Sequence, residues 1–118
     1  MRTIEFRAWD KQREQMFNSA KWVEFRVVKG VLSAINYNRQ GNEQQLPVMQ
    51  YTGLTDKNGV KIFEGDILRD IEEFSVNFVI RSNGGTWMWD GEELLDFTDI
   101  IEVIGNIYEN PELLEANQ

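Results

Sequence analysis

Glu64 and Asp66 stand two apart across Gly65, a spacing that can support acid–base chemistry. A carboxylate pair can divide a proton transfer when its surroundings split the two pKa values, and carboxylate oxygens also suit Mg²⁺ or Ca²⁺. The same residues read more simply as a turn whose acids bond backbone amides. Asp90, Glu92, Glu93, Asp96, Asp99 and Glu102 form the densest acidic run, yet without the acidic pattern and terminal Glu of an EF-hand, so they read as a solvated loop and strand edge. Asp56-Lys57-Asn58-Gly59 explains itself as a turn, and Gly84-Gly85 belongs to a hairpin rather than to a phosphate loop.

The chain has no histidine and no cysteine. That removes the usual general base near neutral pH, the thiolate nucleophile, thiolate metal sites and any disulfide framework. The expectation is a protein that is not an enzyme, with no catalytic residue, no metal site and no cofactor. The nearest catalytic alternative is a Mg²⁺-dependent carboxylate site at Glu64 or Asp66.

Trp87 and Trp89 have the spacing that places two aromatics on one strand face. Such a pair can stack bases, hold a peptide or cover a core. Arg81 is the nearest base, while Asp90, Glu92 and Glu93 crowd the position, which disfavours nucleic acid. The net charge of −8 points the same way. It suits a solubilising surface, or an acidic one that mimics nucleic acid in a host protein's basic groove. Trp22, Trp87 and Trp89 are the binding candidates, and they are also the expected interface of a homo-oligomer. At 118 residues the chain buries only about two-thirds of its unfolded surface, so a partner subunit would help.

The elements that must carry these residues alternate with period two. Ile4, Phe6 and Ala8 share one face of a first strand, and Asp10 to Gln15 reads as a turn or short helical link. Val23, Phe25 and Val27 mark a strand that turns at Lys29-Gly30 into a second one, with Val31, Ile35 and Tyr37 in phase. The polar stretch 38–45 reads as a flexible loop. Met49 to Thr52 ends a strand that Gly53 breaks, and tight turns follow at 56–59 and 64–66. Phe74 to Arg81 is the clearest strand, Thr86 to Asp90 pairs back on it, and Ile100 to Ile104 is buried and stopped by Gly105-Asn106. Leu94, Leu95 and Phe97 fit either a strand or a helical turn. Asn110-Pro111-Glu112 starts a short C-terminal helix, with Asn as N-cap.

The fold class expected is mainly β: a small antiparallel, SH3-like barrel in the second half, an N-terminal strand and hairpin, and a short C-terminal helix. Residues 1–118 form one domain, with 1–45 and 46–118 as possible substructure. No apolar run approaches the roughly 20 residues needed to cross a bilayer. MRTIEFRAWDK lacks the apolar centre of a signal peptide. A cytoplasmic protein without membrane contact is expected.

MQYTGLTDKNGVKIFEGDIL, from Met49 to Leu68, resembles the middle block of the YopX family of phage and prophage proteins. RTIEFRAWDKQREQM, with Phe6 to Asp10 in sequence, is similar to the family's opening signature, and VIGNIYENPELLE, Val103 to Glu115, to its closing one. The three blocks stand in the family's order. The resemblance implies a bacterial or phage source and a setting in the host cytoplasm, but carries no activity, substrate or catalytic residue to these positions. Together these readings point to an accessory protein that binds another protein or itself. A nucleic-acid-binding SH3-like module is the alternative, and a Mg²⁺-dependent carboxylate enzyme the next.

Overall fold

The computed structural model describes residues 5–18, 23–70, 77–83, 86–89, 92–93 and 98–115, and within these the side chains at 70, 77–78, 82–83, 86–89, 92–93 and 115 lie outside the description. The protein is mainly β, every strand pairing among the described residues is antiparallel, and one short helix follows the last strand. It forms two compact units, one spanning Glu5–Gln50 and the other carried by the chain from Tyr51 onward.

In the first unit, β1 (Phe6–Asp10) lies between β2 (Gln15–Phe17) and the opening residues of β6 (Val48–Thr55). β3 (Glu24–Val28), β4 (Val31–Tyr37) and β5 (Glu43–Leu46) form a meander with β4 central. Ala8, Phe17, Val23, Ala34 and Leu46 are buried together, with Phe25 and Val48 against them.

Three expectations are corrected here. Asp10 belongs to β1 rather than to a link, and it is fully buried. The chain then turns over 11–14 into β2, whose three residues are too few to alternate legibly. The polar stretch after Tyr37 is half strand: Asn38 Oδ1 accepts the Gln40 and Asn42 amides to close a turn, and β5 starts at Glu43. The phase of β4 is shifted by one, because Phe25 pairs with Ala34 and so puts the even positions on the core face. Val31 and Tyr37 are accordingly exposed, although Ile35 between them is buried.

In the second unit, Tyr51 of β6 pairs with Phe63 of β7 (Lys61–Phe63). Gly53 does not end β6. At φ 87° it takes up a register shift, and the strand continues to Thr55. Thr52 is buried beside it, donating from its hydroxyl to the Ile62 carbonyl at 2.7 Å. β8 (Asp66–Asp70) lies between β9 (Asn77–Val79) and β13 (Ile101–Asn106). β10 (Arg81–Asn83), β11 (Thr86–Trp89) and β12 (Glu92–Glu93) form a second meander. Ile62, Leu68, Ile80 and Ile101 are fully buried together, with Leu54, Ile100 and Val103 around them.

The run expected as one strand from Phe74 to Arg81 is divided at Ile80 between two sheets; its part before Asn77 lies outside the described residues. Ile80 donates its amide to the Asp66 carbonyl and accepts the Gly65 amide, which pins the chain at the change of sheet. Leu94, Leu95 and Phe97 also lie outside the description.

β13 likewise runs through Gly105-Asn106, with a bulge between Val103 and Gly105. The helix α1 (Glu112–Glu115) starts after Pro111, and the Asn110 backbone carbonyl accepts the Leu113 amide. The Asn110 side chain instead turns back, its Oδ1 accepting the Asn106 amide at 3.2 Å. A Cβ at Gly105 would stand 2.5 Å from that Oδ1 and 2.9 Å from the Asn110 Cβ. Gly105→Ala is therefore expected to push Asn110 off the Asn106 amide and cost about 1–3 kcal/mol. Urea unfolding measures the loss, and Asn110→Ala in the Gly105→Ala background should add little, since the displaced bond is already gone.

Candidate functional site

Within the signature blocks the structure buries a few polar residues, Asp10, Thr52, Asp56, Asp66 and Asn106, and each is hydrogen-bonded. Asp10 is the most elaborate case. Its Oδ2 accepts Arg13 Nη1 at 2.7 Å, Asn36 Nδ2 at 3.0 Å and Gln44 Nε2 at 3.1 Å, while Oδ1 accepts the Arg13 amide at 3.1 Å. Gln44 Nε2 also donates to Asn36 Oδ1 at 2.7 Å, and Arg13 Nη2 to the Tyr37 carbonyl at 2.8 Å. The cluster joins β1, β4, β5 and the turn after β1. Asn36 and Gln44 meet because they are paired across β4 and β5.

Burial alone would raise the Asp10 pKa, and that is the largest single influence on it. The hydrogen bonds from Asn36 and Arg13 and the charge of Arg13 together outweigh burial, so the carboxyl is held below its ordinary value. A carboxylate so stabilised and so fully donated to is a poor proton acceptor, and the cluster acts as a structural joint.

Asp56 does the same for the second unit. Oδ1 accepts the Asn58 and Val60 amides at 2.8 and 2.9 Å, closing the turn, and Oδ2 accepts the Val103 amide at 2.9 Å, tying the turn to the bulge of β13. The Lys57 amide reaches the Ile101 carbonyl alongside. Asp66, also buried, accepts the Phe63 amide at 2.7 Å, whereas Glu64 is half-buried in the turn between. In the closing block Asn106 Oδ1 accepts the Tyr108 and Glu109 amides at 3.0 and 2.9 Å. Among the described residues no group of three His, Cys, Asp or Glu side chains converges as a metal site would require.

Of the sequence-based binding candidates, Trp22 lies outside the described residues. Trp87 and Trp89 are placed by backbone alone, opposite Ser82 and Glu92 in the β10–β11–β12 meander; their side chains lie outside the description. Within the acidic run, Asp99 is exposed, Glu102 pairs with Arg69, and the side chains of Asp90, Glu92, Glu93 and Asp96 lie outside the description.

A feature not foreseen is the tip of the β3–β4 hairpin. Val27 is 69% exposed and Val31 60%, with Leu32 exposed beside them. Val27 pairs with Leu32, so both continue the face on which Phe25 and Ala34 pack, past the point where the core covers it. The sequence marks these positions as apolar and in phase but gives no sign of where the covering core ends.

An antiparallel, mainly β chain with carboxylates locked onto turn and bulge amides is the class these observations define. Residues 5–115 match the family described as YopX protein, and the chain belongs to that family. It is similar over nearly its whole length to a solved structure, the crystal structure of protein EF1440 from Enterococcus faecalis, at 28% identity and a TM-score of 0.62, covering 97% of this chain and 99% of that one. No curated protein matches it. No described helix is long and apolar enough to cross a membrane.

Proposed function

We propose that this chain is a phage or prophage accessory protein of the bacterial cytoplasm that acts without catalysis, by binding another protein or further copies of itself. The part from Tyr51 onward serves, in this reading, as a small SH3-like barrel. The observation that carries the proposal is the uncovered apolar tip of the β3–β4 hairpin, where Val27 and Leu32 stand exposed on one face and Val31 on the other. Clustered exposed apolar side chains on a small polar protein mark contact surfaces more than scattered ones do. The buried carboxylates Asp10, Asp56 and Asp66 support it from the other side, since each holds the fold together through amides. The net charge of −8 favours a partner with a basic site.

Affinity capture from a bacterial lysate, with and without nuclease, tests the reading. A specific host protein retained after nuclease treatment and lost on Val31→Lys is the expected result. Recovery of nucleic acid alone, salt-sensitive and abolished by Trp87→Ala, would overturn it.

A further inference from the structure

We infer that the outer edge of β3 pairs with the same edge of a second copy, giving a two-fold dimer through a continuous antiparallel sheet. The inference rests on the protein-binding reading above and names one partner and one surface for it.

β3 pairs with β4 on one side and, among the described residues, with no strand on the other. Its exposure fits an open edge: Glu24, Arg26 and Val27 are exposed, and Phe25 and Val28 half-buried. The hairpin geometry sets which backbone groups face outward. Lys29 and Gly30 both have positive φ, 52° and 81°, the signature of a two-residue type I′ turn that joins the Val28 carbonyl to the Val31 amide. Hydrogen bonds alternate along an antiparallel ladder, so Val28, Arg26 and Glu24 bond toward β4. Phe25 and Val27 then present their amide and carbonyl groups to the open side.

A second copy related by a two-fold axis can meet those groups in registers centred on Val27, Arg26 or Phe25 that keep the core faces of both sheets on one side. Centred on Val27, the register sets Phe25 and Glu24 opposite the turn residues Lys29 and Gly30 and so pairs only the hairpin tip. Centred on Arg26, the register sets two arginines directly opposite each other, which is repulsive. Centred on Phe25, it exchanges hydrogen bonds between the two Phe25 residues and sets Glu24 opposite the second copy's Arg26, and the reverse, at positions that are not hydrogen-bonded. There the strands approach most closely and side-chain pairs interact best. Val27 falls opposite the second copy's Val23, the residue before β3, which is buried in that copy's own core.

Charges on an edge strand normally repel stray partners. Here the pair Glu24 and Arg26 is self-complementary about Phe25, so the same charges select a copy of this chain. The Glu24 side chain is 70% exposed and lies 3.9 Å from Arg26 Nε, and Arg26 also contacts Glu43 of β5. Within the dimer Arg26 would sit between Glu43 and the second copy's Glu24.

Sedimentation velocity on the full chain, from low to high micromolar concentration, tests this. The wild-type chain should pass from monomer to dimer. Glu24→Arg should weaken the dimer about tenfold, because both symmetry-related pairs turn repulsive at once. Arg26→Glu should do the same. An equimolar mixture of the two variant chains should dimerise again, since each then offers the charge the other lacks. Because Arg26 also contacts Glu43, circular dichroism checks that variant's fold; should it fail, Glu24→Arg together with Val27→Lys on the same edge decides the matter. A wild-type chain that stays monomeric, a Glu24→Arg chain that dimerises like the wild type, or a mixture no tighter than its components would overturn the inference. A monomer that still captures a host protein sensitive to Val31→Lys would remove the dimer and leave the protein-binding reading standing.

Discussion

Replacing Asp10 by alanine is expected to destabilise the protein by about 3 kcal/mol, the cost of leaving buried donors and a cation without their acceptor. Arg13 is about one-third exposed and can recover water, which places the loss at the lower end of the range for a broken buried pair. Asn36, which is buried, has no such recourse. Asn36 Nδ2 would keep no partner, while Gln44 Nε2 would keep Asn36 Oδ1. Asp10→Asn should cost less, since an oxygen remains for one donor. The pair of variants also carries a pH signature. The folded Asp10 pKa lies below its ordinary value, so the carboxylate's contribution is complete above the ordinary aspartate range, about pH 4. It is lost as pH falls through that value and then through the folded pKa. The stability gap between wild type and Asp10→Asn, read by urea unfolding, should hold from neutral pH down to about pH 5 and shrink below it. A gap that widens with acid would contradict the low pKa.

Asp56→Ala should cost about 2–3 kcal/mol and act at two places far apart in sequence. The turn loses the acceptor for the Asn58 and Val60 amides, and β13 loses the one for Val103. Amide hydrogen exchange separates these effects from global unfolding: Asn58, Val60 and Val103 should lose protection together, while Ala34 in the first unit changes only as far as overall stability does. Protection kept at Val103 would show that the tie to the bulge is dispensable. Asp56→Asn should spare the turn more than the Val103 amide, because one amide oxygen cannot serve both sides.

Much of this architecture is written locally. Asp56 to Gly59 announces its turn through a side chain that bonds amides two and four residues on, and Lys29-Gly30 marks its hairpin by its place between two alternating runs. Signals of that kind sit within a few residues and need no knowledge of the rest of the chain. The features that escaped are set by distant partners. β5 looks like a loop because Gln44 and Gln45 are polar, yet each is satisfied across the sheet, by Asp10 and Asn36 and by Ser33. The phase of β4 follows from Ala34 packing with Phe25, and alanine is too small to outweigh Val31 and Tyr37 in a pattern of hydrophobicity. The alternation around Ile80 is continuous, but the sheet it belongs to changes there because of bonds to Gly65 and Asp66. Of the candidate site, the tryptophans were legible as aromatics and nothing more. The Asp10 cluster was not legible, since its members lie up to 34 residues apart.

The bond from Asp56 to Val103 spans 47 residues, and β8 waits on β13 for one of its two neighbours. The unit from Glu5 to Gln50 is completed when the opening residues of β6 pair with β1, and has all its strands once Gln50 has emerged from a ribosome. The later unit cannot close until Ile101–Asn106 has emerged as well. During synthesis, therefore, the chain carries a finished first unit beside a long stretch of apolar strands still lacking their partner. The nascent protein is most exposed to sticking and to proteases in that interval, and substitutions at Asp56 or in β13 would be felt as lower yield before they were felt as lower stability.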